Sequence, residues 1–94
     1  MTRVIWTREA VEDVEAIKAY VARDSVRYAA LVAERIVAAV GRLESFAESG
    51  RVVPEVGDES LREIVDGAYR IVYRIQDESV QVVTVHHAAR LLGA

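Results

Sequence analysis

Apolar residues recur at three- and four-residue intervals through the first half of the chain, and at every second position beyond residue 61. Ala10, Val14, Ile17 and Val21 form a first stripe, widened by Val11 and Tyr20, with Thr7 ahead of it as an N-cap. Glu9, Glu12, Asp13 and Glu15 crowd the early turns and Lys18 and Arg23 follow, an order that complements the helix dipole. The spacing predicts a helix over 8–22. A second stripe, Val26, Ala29, Ala30, Ala33, Ile36, Val37, Val40, Leu43 and Ala47, lies between the cap Asp24-Ser25 and the stop Ser49-Gly50, predicting a helix over 25–48. So short a break between two helices predicts an antiparallel αα-hairpin.

Around these helices the period is that of strands. Arg3-Val4-Ile5-Trp6 reads as a short strand, and residues 51–57, interrupted by Pro54, as irregular extended chain. Leu61–Val65, Tyr69–Ile75 and Val80–Val85 read as three strands joined by turns at Asp66-Gly67 and Asp77-Glu78-Ser79. The predicted order is β-α-α-β-β-β, an α+β fold in which an αα-hairpin packs on one face of an antiparallel-rich sheet. Alternation in the second of those strands puts Tyr69, Ile71, Tyr73 and Ile75 on the helix-bearing face and Arg70, Val72 and Arg74 on the other. That second face is expected to present two arginines with no helix over them. Val80–Val85, apolar on both faces, is expected to lie centrally in the sheet, and His86 and His87 to leave it toward opposite faces. Tyr69, Tyr73 and Trp6 are expected in the core.

Ninety-four residues make one domain, spanning 1–94. No cysteine is present, which removes disulfides, thiolate metal sites and cysteine nucleophiles. The adjacent histidines lack the i, i+4 spacing of a metal pair, there is no Gly-rich phosphate loop, and neither metal nor cofactor is expected. No apolar run is long enough to cross a membrane, and charge arrives too early at the N-terminus for a signal peptide, so the cytoplasm is the expected compartment. The net charge of −3 and pI near 5.3 argue against a dedicated nucleic-acid binder, since phosphate contacts require cations. Of the twelve cations only Lys18 is a lysine, and arginine is the better residue for forked contacts to carboxylate or phosphate.

Trp6-Thr7 before the first helix, Gly50-Arg51-Val52-Val53-Pro54-Glu55, Leu61-Arg62-Glu63, Tyr69-Arg70-Ile71-Val72-Tyr73-Arg74 and Val85-His86 before Ala89-Arg90, in that order, resemble the RelE/ParE superfamily of small bacterial toxins. The resemblance covers nearly the whole chain. It implies the toxin of a type II toxin–antitoxin pair, of the kind associated with plasmid stabilisation, held in a hetero-oligomer by a cognate antitoxin. ParE-like members poison DNA gyrase by binding it; RelE-like members cut mRNA on the ribosome.

A metal-independent ribonuclease needs a base, a cation for the phosphorane and an acid, roles that Glu55, Arg70 and His86 would fill, with Arg62 or Arg74 as phosphate clamps. Nuclease members end in a His-Tyr pair where this chain has Ala88-Ala89, and RelE-like enzymes use several lysines. Those departures favour the ParE-like reading, with Arg62, Arg70, Arg74 and Arg90 as the target-binding residues. An antitoxin-binding remnant without toxicity is the third reading. Against each stands a plainer role: Glu55 as a solvated loop acid, Arg70 and Arg74 as partners of Glu63 or Asp66 across the hairpin, and His86 as a structural strand end.

Overall fold

The computed structural model describes residues 2–89. Strand β1 (Arg3–Trp6) leads into helix α1 (Arg8–Ala22) and helix α2 (Val26–Gly41). A two-residue strand β2 (Arg51–Val52) then precedes β3 (Leu61–Asp66), β4 (Tyr69–Gln76) and β5 (Ser79–His87). The sheet runs β1-β5-β4-β3-β2. Its only parallel pair among the described residues is β1 with β5, Arg3 facing Ser79 and Trp6 facing Val82. The fold is α+β, with both helices on one face of a five-stranded mixed sheet and β5 inside it, as its two-sided apolar pattern predicts.

Thr7 joins the two layers. Its hydroxyl accepts a hydrogen bond from the Ala10 N–H at the start of α1 and donates to the Val82 carbonyl of β5 at 2.7 Å. Asp13, on the next turn of α1, accepts from the Thr84 hydroxyl and the Val85 N–H at 2.8 and 2.9 Å. It therefore closes the edge of β5 beyond the end of β1, where an N–H would otherwise have no strand partner. Ser25 caps α2 by accepting from the Tyr28 N–H.

Helix α2 is shorter than its apolar stripe predicts. Gly41, a weak helix former, is followed by a 3₁₀ turn at Arg42–Glu44 that keeps Leu43 in the core without a further α-helical turn. The face it buries also differs from the expected one. Ala29, Val32, Ile36, Ala39 and Val40 are buried, whereas Val26 and Val37 are 75% and 53% exposed. With alanine and valine on every side of the helix, the period alone does not choose the face; contact with Ile71, Val82 and Val85 of the sheet does. A fully buried aliphatic side chain of this kind stabilises the fold by about 1.5–3 kcal/mol. Tyr73 is fully buried, and Trp6 and Tyr69 are half-buried against the same core.

The expectation of an open arginine face is corrected. Residues 53–60 fold back over the sheet, and Val53, Leu61 and Val72 form a separate apolar cluster beneath them. Pro54 does not leave the whole stretch irregular, because Arg51 and Val52 pair with Glu63 and Arg62 before it. Gly57 completes the fold-back at φ +72°, with its N–H donated to the Val53 carbonyl at 2.9 Å.

A buried arginine between two glutamates as the candidate functional site

Leu61, Glu63 and Val65 of β3 share a face with Arg70, Val72 and Arg74 of β4, by the registers Leu61 to Arg74, Glu63 to Val72 and Val65 to Arg70. Glu63 and Arg70 are therefore diagonal neighbours, within reach of long side chains. The Arg70 Nε–H donates to Glu63 Oε1, and both groups are buried, at 5% and 1% exposure. The second oxygen of Glu63 accepts from Arg51 Nε at 2.5 Å, while the Arg51 side chain remains mostly in solvent.

The far end of the Arg70 guanidinium is held by the loop. Its Nη1 donates to Glu55 Oε2 at 2.8 Å and its Nη2 to Glu55 Oε1 at 2.7 Å, a two-bonded fork of guanidinium on carboxylate. The Glu55 side chain is 22% exposed, so it forms the outer rim of the cluster and Glu63 the floor. The hydrogen bonds that Arg70 donates to Glu55 are the main cause that raises the Arg70 pKa above its ordinary value; burial opposes them, and Glu63 adds to the rise. Arg70 is thus a permanent cation with carboxylates on both sides.

Of the candidate triple, the fold brings Glu55 into direct contact with Arg70 and sets His86 directly across the β4–β5 ladder from it. His86 is therefore the histidine that shares the arginine face. Its Nδ1 lies 3.1 Å from the His87 carbonyl, and its buried Nε2 has no hydrogen-bond partner among the described residues. His87 turns the other way, edge-on to Tyr69 at 6.1 Å between ring centroids.

The other arginines are placed differently. Arg74 is only partly exposed and reaches Ser60 Oγ at 3.0 Å and Asp58 at 3.4 Å. Asp58 is held below its usual carboxylate range, first by the Ser60 N–H and then by the Ser60 hydroxyl. Arg62 donates to the carbonyls of Glu59 and Gly50 at 2.8 and 3.1 Å, tying both ends of the loop to β3. Asp66 pairs with Arg35 of α2 at 3.7 Å rather than with either strand arginine. Arg90 lies outside the described residues. Among the described residues no group of histidines and carboxylates could hold a metal ion, and no helix is long and apolar enough to cross a membrane.

Glu63 is a site residue that the sequence offers as part of the Leu61-Arg62-Glu63 motif and as one possible salt-bridge partner, without a role in the candidate site. Its signal is present in the alternation, where a lone acid stands between Leu61 and Val65 on the face that also carries Arg70.

Residues 4–92 match the family described as the ParE toxin of the type II toxin–antitoxin system parDE. The chain is 36% identical over 92 residues to the toxin RelE2 of Caulobacter vibrioides, covering 97% of this chain and 100% of that one. It is 39% identical over 88 residues to the putative toxin Y4kP of Sinorhizobium fredii, covering 92% of this chain and 88% of the other. Among solved structures, the fold resembles a chain of the chromosomal ParDE system from P. aeruginosa, with a TM-score of 0.75 at 23% identity, covering 93% of this chain and 96% of that chain. It also resembles a chain of the RelBE2 complex from Mycobacterium tuberculosis, with a TM-score of 0.58 at 23% identity, covering 92% and 96%. At that identity the structural likeness shows the fold alone. The match over residues 4–92, together with relatives above one-third identity along almost their full length, makes this chain a member of the ParE toxin family, within the RelE/ParE superfamily of type II toxin–antitoxin toxins.

Proposed function

We propose that the toxin acts by binding rather than by turnover, inhibiting DNA gyrase in the ParE-like manner, and that a cognate antitoxin neutralises it in a hetero-oligomer. The observation that carries this reading is the state of Arg70. A phosphorane clamp must face the substrate with hydrogen bonds to give. Arg70 is 5% exposed and already gives both Nη groups to Glu55 and its Nε to Glu63. Glu55, the base of the nuclease reading, is engaged by the same fork. Arg74 is partly exposed where Arg70 is buried, and in this proposal it faces the target, with Arg62 and Arg70 supporting its surroundings and Arg90 as a further target-binding residue.

Two surfaces suit an antitoxin. Tyr20, Val26, Tyr28 and Leu31 are exposed on the helical hairpin, an apolar area onto which a partner helix can pack. Among the described residues strand β2 pairs with Arg62 and Glu63 alone, which leaves the outer edge of Ile64–Asp66 without a strand partner beside a groove of about 390 Å³. An extended segment can continue the sheet there.

The experiment is a pair of assays on purified toxin: gyrase supercoiling, and primer extension of mRNA on translating ribosomes. Loss of supercoiling with uncut mRNA is expected. Codon-positioned cuts with intact supercoiling would assign the chain to the nuclease branch, with Glu55, Arg70 and His86 as its acid–base and phosphate-binding set. Silence in both would leave an antitoxin-binding remnant.

A further inference from the structure

The outward face of α2 carries a charge pattern that matches itself. Arg27 and Glu34 stand seven residues apart, two turns of helix, so both side chains lie on one stripe, about 10 Å apart along the axis. Leu31 sits between them on the same stripe, 46% exposed, with the exposed Ala30 beside it. The stripe points away from Ala29, Val32, Ile36 and Ala39, which are buried on the other side of the helix. Among the described residues neither Arg27 nor Glu34 makes an ion pair or a side-chain hydrogen bond. The small side chain of Ala30 leaves a shallow hollow between Arg27, Tyr28, Leu31 and Glu34.

We propose that this face binds a second copy of the chain, the two α2 helices crossing antiparallel about a two-fold axis between Ala30 and Leu31. The axis sets Arg27 of each copy opposite Glu34 of the other, two equal ion pairs from one surface. Each Leu31 enters the hollow over the other copy's Ala30, where the small side chain lets the helices approach closely. The charges decide the occupant. A cation and an anion at opposite ends of a short apolar centre are both satisfied by the same surface turned end for end. A segment of a single charge sign gains at one end what it loses at the other. Tyr28, 54% exposed, flanks the centre and is covered with it. A single helix crossing buries less than the ~1,200 Å² of a stable interface, so the dimer is reversible, with a dissociation constant on the order of tens of micromolar. Tyr28 and Leu31 also belong to the apolar area onto which an antitoxin helix is proposed to pack, so the dimer and that partner exclude each other there.

The test is sedimentation velocity on the purified toxin over roughly 1–200 μM, a range that brackets such an equilibrium. A reversible monomer–dimer equilibrium that weakens as salt is raised is expected. Arg27→Glu sets acid against acid at both ends of the crossing, and Glu34→Arg sets cation against cation. Each should weaken dimerisation on the order of ten- to thirtyfold. An equimolar mixture of the two variants should recover it, because one copy is then acidic at both positions and the other basic at both. The double variant Arg27→Glu/Glu34→Arg, which restores the pattern in reverse, should recover it as well. Both positions are exposed, so thermal unfolding of the variants should match that of the parent. A toxin that stays monomeric over the whole range would overturn the proposal. So would a dimer indifferent to both reversals, or a mixture that fails to associate. The assay contains toxin alone, so its failure is distinct from failure of the gyrase or antitoxin reading.

Discussion

The backbone N–H of Gly50 donates to the Tyr73 hydroxyl at 3.0 Å, and that hydroxyl in turn donates to the Ala47 carbonyl at 2.7 Å. Tyr73 thereby holds the entry to β2 against the centre of the sheet. A Cβ at position 50 would fall 2.6 Å from both the Glu63 carbonyl oxygen and the Tyr73 hydroxyl. The backbone oxygen cannot give way without shifting β3. Gly50→Ala should therefore destabilise by about 1–3 kcal/mol as an overpacked site. Tyr73→Phe should cost a similar ~1–3 kcal/mol by leaving a buried donor and acceptor unmatched. Denaturant midpoints at unchanged slope check both, and a wild-type midpoint for Gly50→Ala would contradict the close approach.

Burial holds the Tyr73 hydroxyl above the usual tyrosine pKa, only partly offset by the Gly50 N–H. The fold therefore favours the neutral phenol. Its contribution is complete below the ordinary value of ~10 and is lost as pH climbs through the raised value. A base titration followed by phenolate absorbance should show Tyr73 ionising only together with unfolding, above the ordinary tyrosine value. Ionisation of Tyr73 at the ordinary tyrosine value with the fold intact would be inconsistent with this arrangement.

Removing Glu63 leaves Arg70 with Glu55, at the rim, as its remaining carboxylate among the described residues. Glu63→Ala should cost about 3 kcal/mol, the lower end for breaking a buried ion pair, because one partner is retained. Glu63→Gln should cost ~1–2 kcal/mol, since hydrogen bonds to the arginines can persist. Arg51→Ala, which removes a mostly solvent-exposed partner, should stay below about 1 kcal/mol. Urea unfolding of the three variants should give that ranking, and an Arg51 effect as large as that of Glu63→Ala would show the tetrad to be weighted otherwise.

Thr7 serves α1 and β5 with one hydroxyl. Thr7→Ala should lose about 1–2 kcal/mol, at the upper end for an N-cap because the tie to Val82 is lost with it. Thr7→Ser keeps both bonds and should recover most of the loss in thermal unfolding, whereas Thr7→Val, which preserves only the shape, should not.

Much of this fold is legible along the chain. The bounds of α1 follow from Thr7 and a stripe whose opposite face is charged, and those of β3 and β4, to within one residue, from alternation between turn residues; β5, apolar on both faces, runs to His87, two residues past the expected Val85. What escapes is set by contacts between distant segments. The buried face of α2 is ambiguous because Val26, Ala30, Ala33 and Val37 form as good a stripe as the residues that meet the sheet. The parallel pairing of β1 with β5 leaves no local trace. The burial of Arg70 depends on residues 53–60 folding back over it, which no periodicity announces. Placing Arg70 and Arg74 on one face was within reach of alternation; learning that a loop supplies Glu55 to one and Asp58 to the other was not.

The parallel pairing of β1 with β5 also bears on how the molecule is made. Thr7 and Val82 are 75 positions apart, yet their hydrogen bond fastens the first helix to the sheet. β5 lies between β1 and β4 and is the last strand among the described residues. During synthesis the helical hairpin leaves the ribosome with no sheet to cover its apolar face, and Arg3–Trp6 waits for a neighbour until residues 79–82 have emerged. A nascent chain stalled short of that point has neither a completed core nor a fastened arginine face. The topology therefore ties both the capture of the first strand and the completion of the arginine face to the arrival of β5, so that neither exists until residues 79–87 have joined the sheet.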